Sequence, residues 1–256
     1  MHRTSALRRF VQTLEANRKS ERVGVYSVCS ANPFVIEAAL SHAKDTDTDI
    51  LIESTSNQVN HQGGYTGMKP SDFVDFVLGA AHRVGLEDSQ VLLGGDHLGP
   101  NPWKSSNSAQ AMTHARQLVA AYARAGFQKI HLDPSMPLAD DGIAPGESLP
   151  EDVVAERTVE LCRTVESVWS SEHPDENGPV YVVGTEVPVP GGQVGKEQSV
   201  VSTEPNALRR TVETIRSRFL DSGLSNAWER VYAVVVQPGV EFGDNEVVEY
   251  DPSAAR

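Results

Sequence analysis

The segment Gly94–Trp103 (GGDHLGPNPW) ends a short apolar run, Val91–His97, in an aspartate and a histidine. An imidazole there can bind a metal ion, and a carboxylate beside it can carry a proton. Adjacent residues of a regular strand point to opposite faces. Asp96 and His97 can therefore serve one site only where the strand unravels into a loop. Gly94 and Gly95 fit such a place, since glycine at a strand end admits a ligand or a second backbone at close range. The plainer alternative makes Asp96 a loop cap and His97 a buried, hydrogen-bonded histidine.

Other groups with chemical potential also cluster at the ends of apolar runs. Glu186 closes Val180–Val187, and a carboxylate at the tip of such a run is costly unless it is paired, hydrogen-bonded or on a metal. Gly191 and Gly192 follow and can present backbone N–H groups to an anion such as a sugar phosphate; the alternative is an arginine partner for Glu186 and a simple turn. Ser30 closes the first run and Glu53 lies two residues before the end of the second. Asn57 lies in the polar loop Ser54–Gly67, whose hydroxyls and amides suit a polyhydroxylated substrate or are merely solvated. His131 and Asp133, two residues apart, share a strand face, either completing a metal set with His97 and Glu186 or forming a buried ion pair. Glu241, after Gln237-Pro238-Gly239, is the last candidate. No lysine ends a run, Lys129 beginning one, which argues against a Schiff-base aldolase with its desolvated amine. There is no GxSxG elbow for a serine hydrolase.

The elements that must position these groups alternate along the chain. Six β-branched runs, Val23–Ser30, Asp49–Thr55, Val91–His97, Lys129–Asp133, Val180–Val187 and Val231–Pro238, read as strands. Nearly every residue in them is apolar, as in parallel sheets covered on both faces. Helical patterns lie between them: Asn32-Pro33 opens one, Pro70-Ser71 another, Asn107 to Ala125 a third, Pro150 a fourth and Thr203-Glu204-Pro205 a fifth. An N-terminal amphipathic helix carries Leu7, Phe10, Val11 and Leu14 on one face. The pattern predicts an α/β fold. Polar groups after nearly every strand favour a TIM (β/α)8-type barrel over a doubly wound sheet, which binds at one switch point. A single domain over 1–256 follows, with about six βα units where a whole barrel has eight; two open edges would remain, so the barrel is expected to be truncated or completed by a partner.

Composition narrows the partners. The chain has 256 residues with 35 acidic and 22 basic side chains, a formal charge of −13. Only six of the basic groups are lysines, and this balance argues against nucleic acid, whose phosphates require clustered cations. Cys29 and Cys162 form no CxxC pair, which excludes a disulfide scaffold and a thiolate zinc site and fits a reducing cytoplasm. No segment has the apolar length of a membrane span or a secretory signal, so no membrane partner is expected.

Several segments together are more specific than any one of them. SVCSANPFVIEAAL (27–40), IESTSNQVNHQGGYTGMKPSDF (52–73), LGGDHLGPNPW (93–103), AGFQKIHLDPSM (125–136), GTEVPVPGG (184–192) and VVVQPGVEF (234–242) resemble the accessory (Z-type, GatZ/KbaZ) subunit family of class II D-tagatose-1,6-bisphosphate aldolase. The resemblance runs from about Val23 to the end. It implies a TIM barrel related to the zinc-dependent ketose-bisphosphate aldolases, with Asp96-His97 matching their Asp-His pair and Glu186 with Gly191-Gly192 matching their Glu and Gly-Gly segment. QPGVEF has Glu241 where those enzymes carry a further zinc histidine, and the family pattern continues beyond Arg256.

Two functions follow from the resemblance. One is an accessory, non-catalytic subunit that supports the activity and stability of the catalytic Y-type subunit in galactitol, N-acetylgalactosamine or tagatose catabolism, with no metal of its own required. The other is a metal-dependent epimerase or aldolase acting on a ketose or sugar phosphate. In that case zinc or manganese would be held by His97 with His131, Glu241 or Glu186. Asp96 and Glu186 would be the catalytic pair, and Ser30, Glu53, Asn57, Gly191 and Gly192 the substrate contacts.

Overall fold

The computed structural model describes residues 4–144, 147–184 and 202–237, together with the backbone of two two-residue strands farther on. The elements in chain order are α1 (Thr4–Arg18), β1 (Ser27–Cys29), α2 (Pro33–Thr46), β2 (Ile50–Thr55), α3 (Pro70–Val84), β3 (Val91–Leu98), α4 (Ser108–Arg124), β4 (Lys129–Leu132), α5 (Glu151–Glu172), β5 (Val180–Val183), α6 (Pro205–Asp221), α7 (Ser225–Trp228), β6 (Val231–Val234), β7 (Glu241–Phe242) and β8 (Val247–Val248). The helix starts follow the sequence signals: Asn32 Oδ1 accepts from the Phe34 and Val35 amides, and Asn107 Oδ1 from that of Gln110.

Strands β1 to β6 form one sheet in chain order, each parallel to the next. A sheet that always advances in one direction, with crossovers of one hand, keeps every helix on the same side. This is the winding of a (β/α)8-type barrel rather than of a doubly wound sheet, whose order reverses. The two faces have different cores. Outward-facing Ile50, Ile52, Leu93, Ile130, Tyr181 and Val183 pack in one large cluster with Leu40, Phe73, Leu118, Tyr122, Leu161 and Phe219 of the helices. Each such side chain, fully buried, contributes roughly 1.5–3 kcal/mol. On the inner face, Leu51, Leu92 and Val180 pack against Ala6 and Leu7 of α1, with Phe10, Val11 and Tyr232 around them. The apolar stripe of α1 thus closes the floor of the barrel, anchored by two Arg9 contacts to Asp49 (2.5 and 2.6 Å) and by the Ser5 hydroxyl on Ser89 O (2.9 Å).

Two expectations change. The run Val23–Ser30 gives a strand only over Ser27–Cys29; Val23, Val25 and Tyr26 are exposed. β1 is an edge strand, paired on one side only among the described residues, so its upstream half lacks a ladder to hold it extended. The run Val231–Pro238 likewise forms a strand only to Val234, and Glu241 lies beyond it in β7, which pairs antiparallel with β8 outside the six-stranded sheet.

Candidate functional site

The polar centre sits where β3 and β4 end. The register runs Gly94–Lys129 and Gly95–Ile130, then resumes at Leu98–Leu132. Three steps on β3 therefore oppose two on β4, a bulge that falls on Asp96 and His97. His97 adopts φ +46°, in the left-handed region, which costs a non-glycine residue on the order of 1 kcal/mol. Through this break in the alternation, two consecutive side chains reach the same end of the barrel. Gly99 sits just past the bulge, so close to β4 that a Cβ on it would lie 1.8 Å from the Asp133 carbonyl oxygen.

The side chains of the two strand ends pair crosswise. His97 Nδ1 donates to Asp133 Oδ2 at 2.8 Å, while His131 Nδ1 lies 3.0 Å from Asp96 Oδ1. Asp133 Oδ1 in turn accepts from the amide and hydroxyl of Ser135 at 3.2 and 2.5 Å. The bond to Asp133 fixes the His97 tautomer, placing the lone pair on Nε2, which lies 3.9 Å from Asp96 Oδ2. His131 Nε2 donates to Gly184 O at 3.2 Å, and its Nδ1 meets both the His97 amide at 3.2 Å and the Asp96 carboxylate. Nδ1 bonds the Asp96 carboxylate when it carries a proton; without one, its lone pair faces the carboxylate oxygen and the gap between them suits a cation.

Below this pair is an internal ion pair. Glu53, Gly94 and Lys129 occupy one register row across β2, β3 and β4. Lys129 Nζ is 2.6 Å from Glu53 Oε1 and 3.5 Å from Asp96 Oδ1. The two side chains meet across β3 because Gly94 has none; a Cβ there would come within 2.4 Å of Glu53 Oε1. A cavity of about 190 Å³, lined in part by Phe10, Leu51, Glu53, Lys129 and Val182, separates the ion pair from α1. Sequence reasoning missed Lys129 by treating its place at the start of a run as a place outside the site. Its spacing held the signal, since Lys129 shares a strand face with His131, two residues on.

Burial acts on these groups in known directions. It raises the Asp96 carboxyl, but the His131 hydrogen bond and the charges of Lys129, His97 and His131 outweigh it and hold Asp96 below the ordinary carboxylate range. Asp133 is also lowered, burial being overcome by the His97 hydrogen bond, His131 and Ser135. Cys29 is exposed, but the protein atoms around it and the charges of Asp96 and Glu53 raise its thiol, so Cys29 is a neutral thiol and not a nucleophilic thiolate.

The structure thus brings Asp96, His97, His131 and Glu53 together. Asp96, His97 and His131 each offer a donor atom within 4.8 Å of the others, an imidazole–imidazole–carboxylate group of the type that holds metal ions. Ser30 stands beside Glu53, its amide donating to Glu53 O at 3.1 Å and its Oγ accepting from the Asn32 amide. Asn57 is exposed in the loop after β2. Glu186, Gly191 and Gly192 lie outside the described residues, as does the side chain of Glu241.

The sequence profile of the D-tagatose-1,6-bisphosphate aldolase subunit GatZ/KbaZ-like family matches residues 10–256. The chain belongs to the GatZ/KbaZ-like family. It is 48% identical over 245 residues to a protein of Salmonella paratyphi B described as D-tagatose-1,6-bisphosphate aldolase subunit GatZ, covering 96% of this chain and 56% of that one. A protein of the same description from Escherichia coli O1:K1 is 47% identical over 247 residues, with 96% and 57% covered. This GatZ/KbaZ-like chain thus spans little more than half the length of the curated relatives it matches. A crystal structure described as a probable tagatose 6 phosphate kinase from Sinorhizobium meliloti 1021 shares 42% identity and superposes with a TM-score of 0.76, over 91% of this chain and 54% of that one. Among the described residues no helix is long and apolar enough to cross a membrane.

Proposed function

We propose that the chain acts as an accessory subunit of tagatose-1,6-bisphosphate aldolase, supporting the activity and stability of a class II catalytic (Y-type) subunit. The observation that carries this reading is the 47–48% identity, over 96% of the chain, to proteins described as that aldolase's subunit GatZ. Free Cys29 and Cys162 suit work in a reducing cytoplasm.

A second reading is favoured by the strand-end cluster: a metal-dependent enzyme acting on a ketose or sugar phosphate. His97 and His131 would supply nitrogen ligands, with Asp96 close at hand and Glu186 and Glu241 as further oxygen donors. A bound divalent ion would supply Lewis acidity toward a ketose carbonyl or hydroxyl. Asp133 holds His97 in one tautomer, and Asp96, kept ionised, accepts a proton from the substrate. Ser30, Glu53, Asn57, Gly191 and Gly192 stand as the proposed contacts to substrate, Glu53 acting through its ion pair with Lys129.

Metal analysis and sugar turnover of the chain, alone and mixed with a class II catalytic subunit, test both readings. Higher aldolase activity in the mixture, with none from the chain alone, is the result expected of an accessory subunit. Stoichiometric zinc or manganese with epimerisation by the chain alone would replace that reading by the second. Failure to associate with the catalytic subunit at micromolar concentration would overturn the first.

A further inference from the structure

We infer that Lys129 sets the cation affinity of the barrel mouth: its ammonium, in contact with Glu53 and within reach of Asp96, offsets the pull of the Glu53 carboxylate on a cation. The inference rests on the metal reading of the second proposal and concerns a residue outside the metal set. Among the described residues, the strand ends bring together three carboxylates, Glu53, Asp96 and Asp133, and a single ammonium, Lys129.

The geometry commits Lys129 to this place. Its side chain is 9% exposed and that of Glu53 3%, so neither charge is screened by bulk water. Unit charges a few ångströms apart in such surroundings interact far more strongly than they would in bulk water. Gly94 keeps the row between them open, and the 3.5 Å contact with Asp96 Oδ1 carries the ammonium's field directly into the donor set. Lys129 therefore opposes an incoming cation and Glu53 attracts it, and because the two are in contact their effects nearly cancel. Structure alone would keep Lys129 for packing or for holding Asp96; the charge argument makes the opposite prediction, that removing the ammonium tightens cation binding.

Mn2+ uptake followed by loss of the free-ion paramagnetic resonance signal reads this without any assay of activity. Lys129→Met is expected to bind Mn2+ at least about tenfold more tightly than wild type, and Glu53→Gln about tenfold more weakly. Lys129→Arg, which keeps the charge, and the double variant Lys129→Met/Glu53→Gln, which removes both, are expected within about threefold of wild type. Should Lys129→Met fail to fold by circular dichroism, the comparison of the double variant with Glu53→Gln reports the same charge removal in a neutral background. Wild-type uptake with unchanged or weaker binding after the ammonium is removed overturns the inference alone. No uptake by wild type or by any variant overturns the metal reading, and this inference with it.

Discussion

Asp96 and His97 are neighbours in the chain, yet each pairs with a different side chain of β4: Asp96 with His131 and His97 with Asp133. The crossing is possible because the bulge between Gly95 and Leu98 breaks the alternation that would otherwise send one of them outward. Asp133 then acts on the site through His97. Asp133→Asn removes the charge that holds the Nδ1 proton and sets an amide against the Ser135 donor. Cation affinity, measured by chelator competition, is expected to fall about 10- to 100-fold while the circular dichroism spectrum is retained. Unchanged affinity would mean that His97 needs no orienting partner.

Gly99 fixes the spacing of the two strand ends. A Cβ there would meet the Asp133 carbonyl oxygen, a backbone atom that cannot swing away, at 1.8 Å. Gly99→Ala is expected to lower stability by about 3 kcal/mol in denaturant unfolding. Gly24→Ala, with nothing within 4 Å of the new methyl, is the control and should stay within about 0.5 kcal/mol. Equal effects at both positions would show that the β3–β4 contact is not tight.

Much of this architecture was legible in the residues. Apolar, β-branched runs and proline or asparagine helix starts foretold six strands and their helices, because those signals are local. The gathering of Asp96, His97 and His131 was legible too, since each lies near the end of a run. What escaped was set by tertiary contact. A bulge has no sequence period, so nothing announced that Asp133 would bond His97 and His131 would turn to Asp96. The spacing of Lys129 and His131 put them on one strand face, but the pairing of Lys129 with Glu53 escaped because it depends on Gly94 being empty on the strand between, a cross-strand register that no single run discloses.

Acid should loosen the cluster in a defined direction. Asp96 and Asp133 titrate below the ordinary carboxylate value in the folded chain, so their pairing stabilises the fold above about pH 4, where the unfolded carboxyls are ionised as well. As pH falls through the lowered folded values, these carboxylates take up protons and the stabilisation is lost. Unfolding free energy in the presence of chelator is expected to drop as pH falls below about 4, with a shallower drop in Asp133→Asn. The same slope in both chains would assign the acid sensitivity to other carboxylates.

The Tyr122 hydroxyl of α4 reaches both the end of β2 and the loop that follows it. Tyr122 is fully buried, and its OH lies 2.9 Å from Ser54 Oγ and donates to Val59 O at 3.0 Å. The ring itself packs 4.5 Å from Phe127, centroid to centroid, so Tyr122→Phe keeps the packing and deletes only the polar link. Two groups on the β2 side then lose a partner in a dry place, at about 1–3 kcal/mol. Ser54→Ala removes one of those groups in advance. In a double-mutant cycle the second substitution is therefore expected to cost less than in wild type, with a coupling of about 0.5 kcal/mol or more. Strict additivity would mean that the Ser54 contact contributes nothing, and that Val59 O alone holds the hydroxyl.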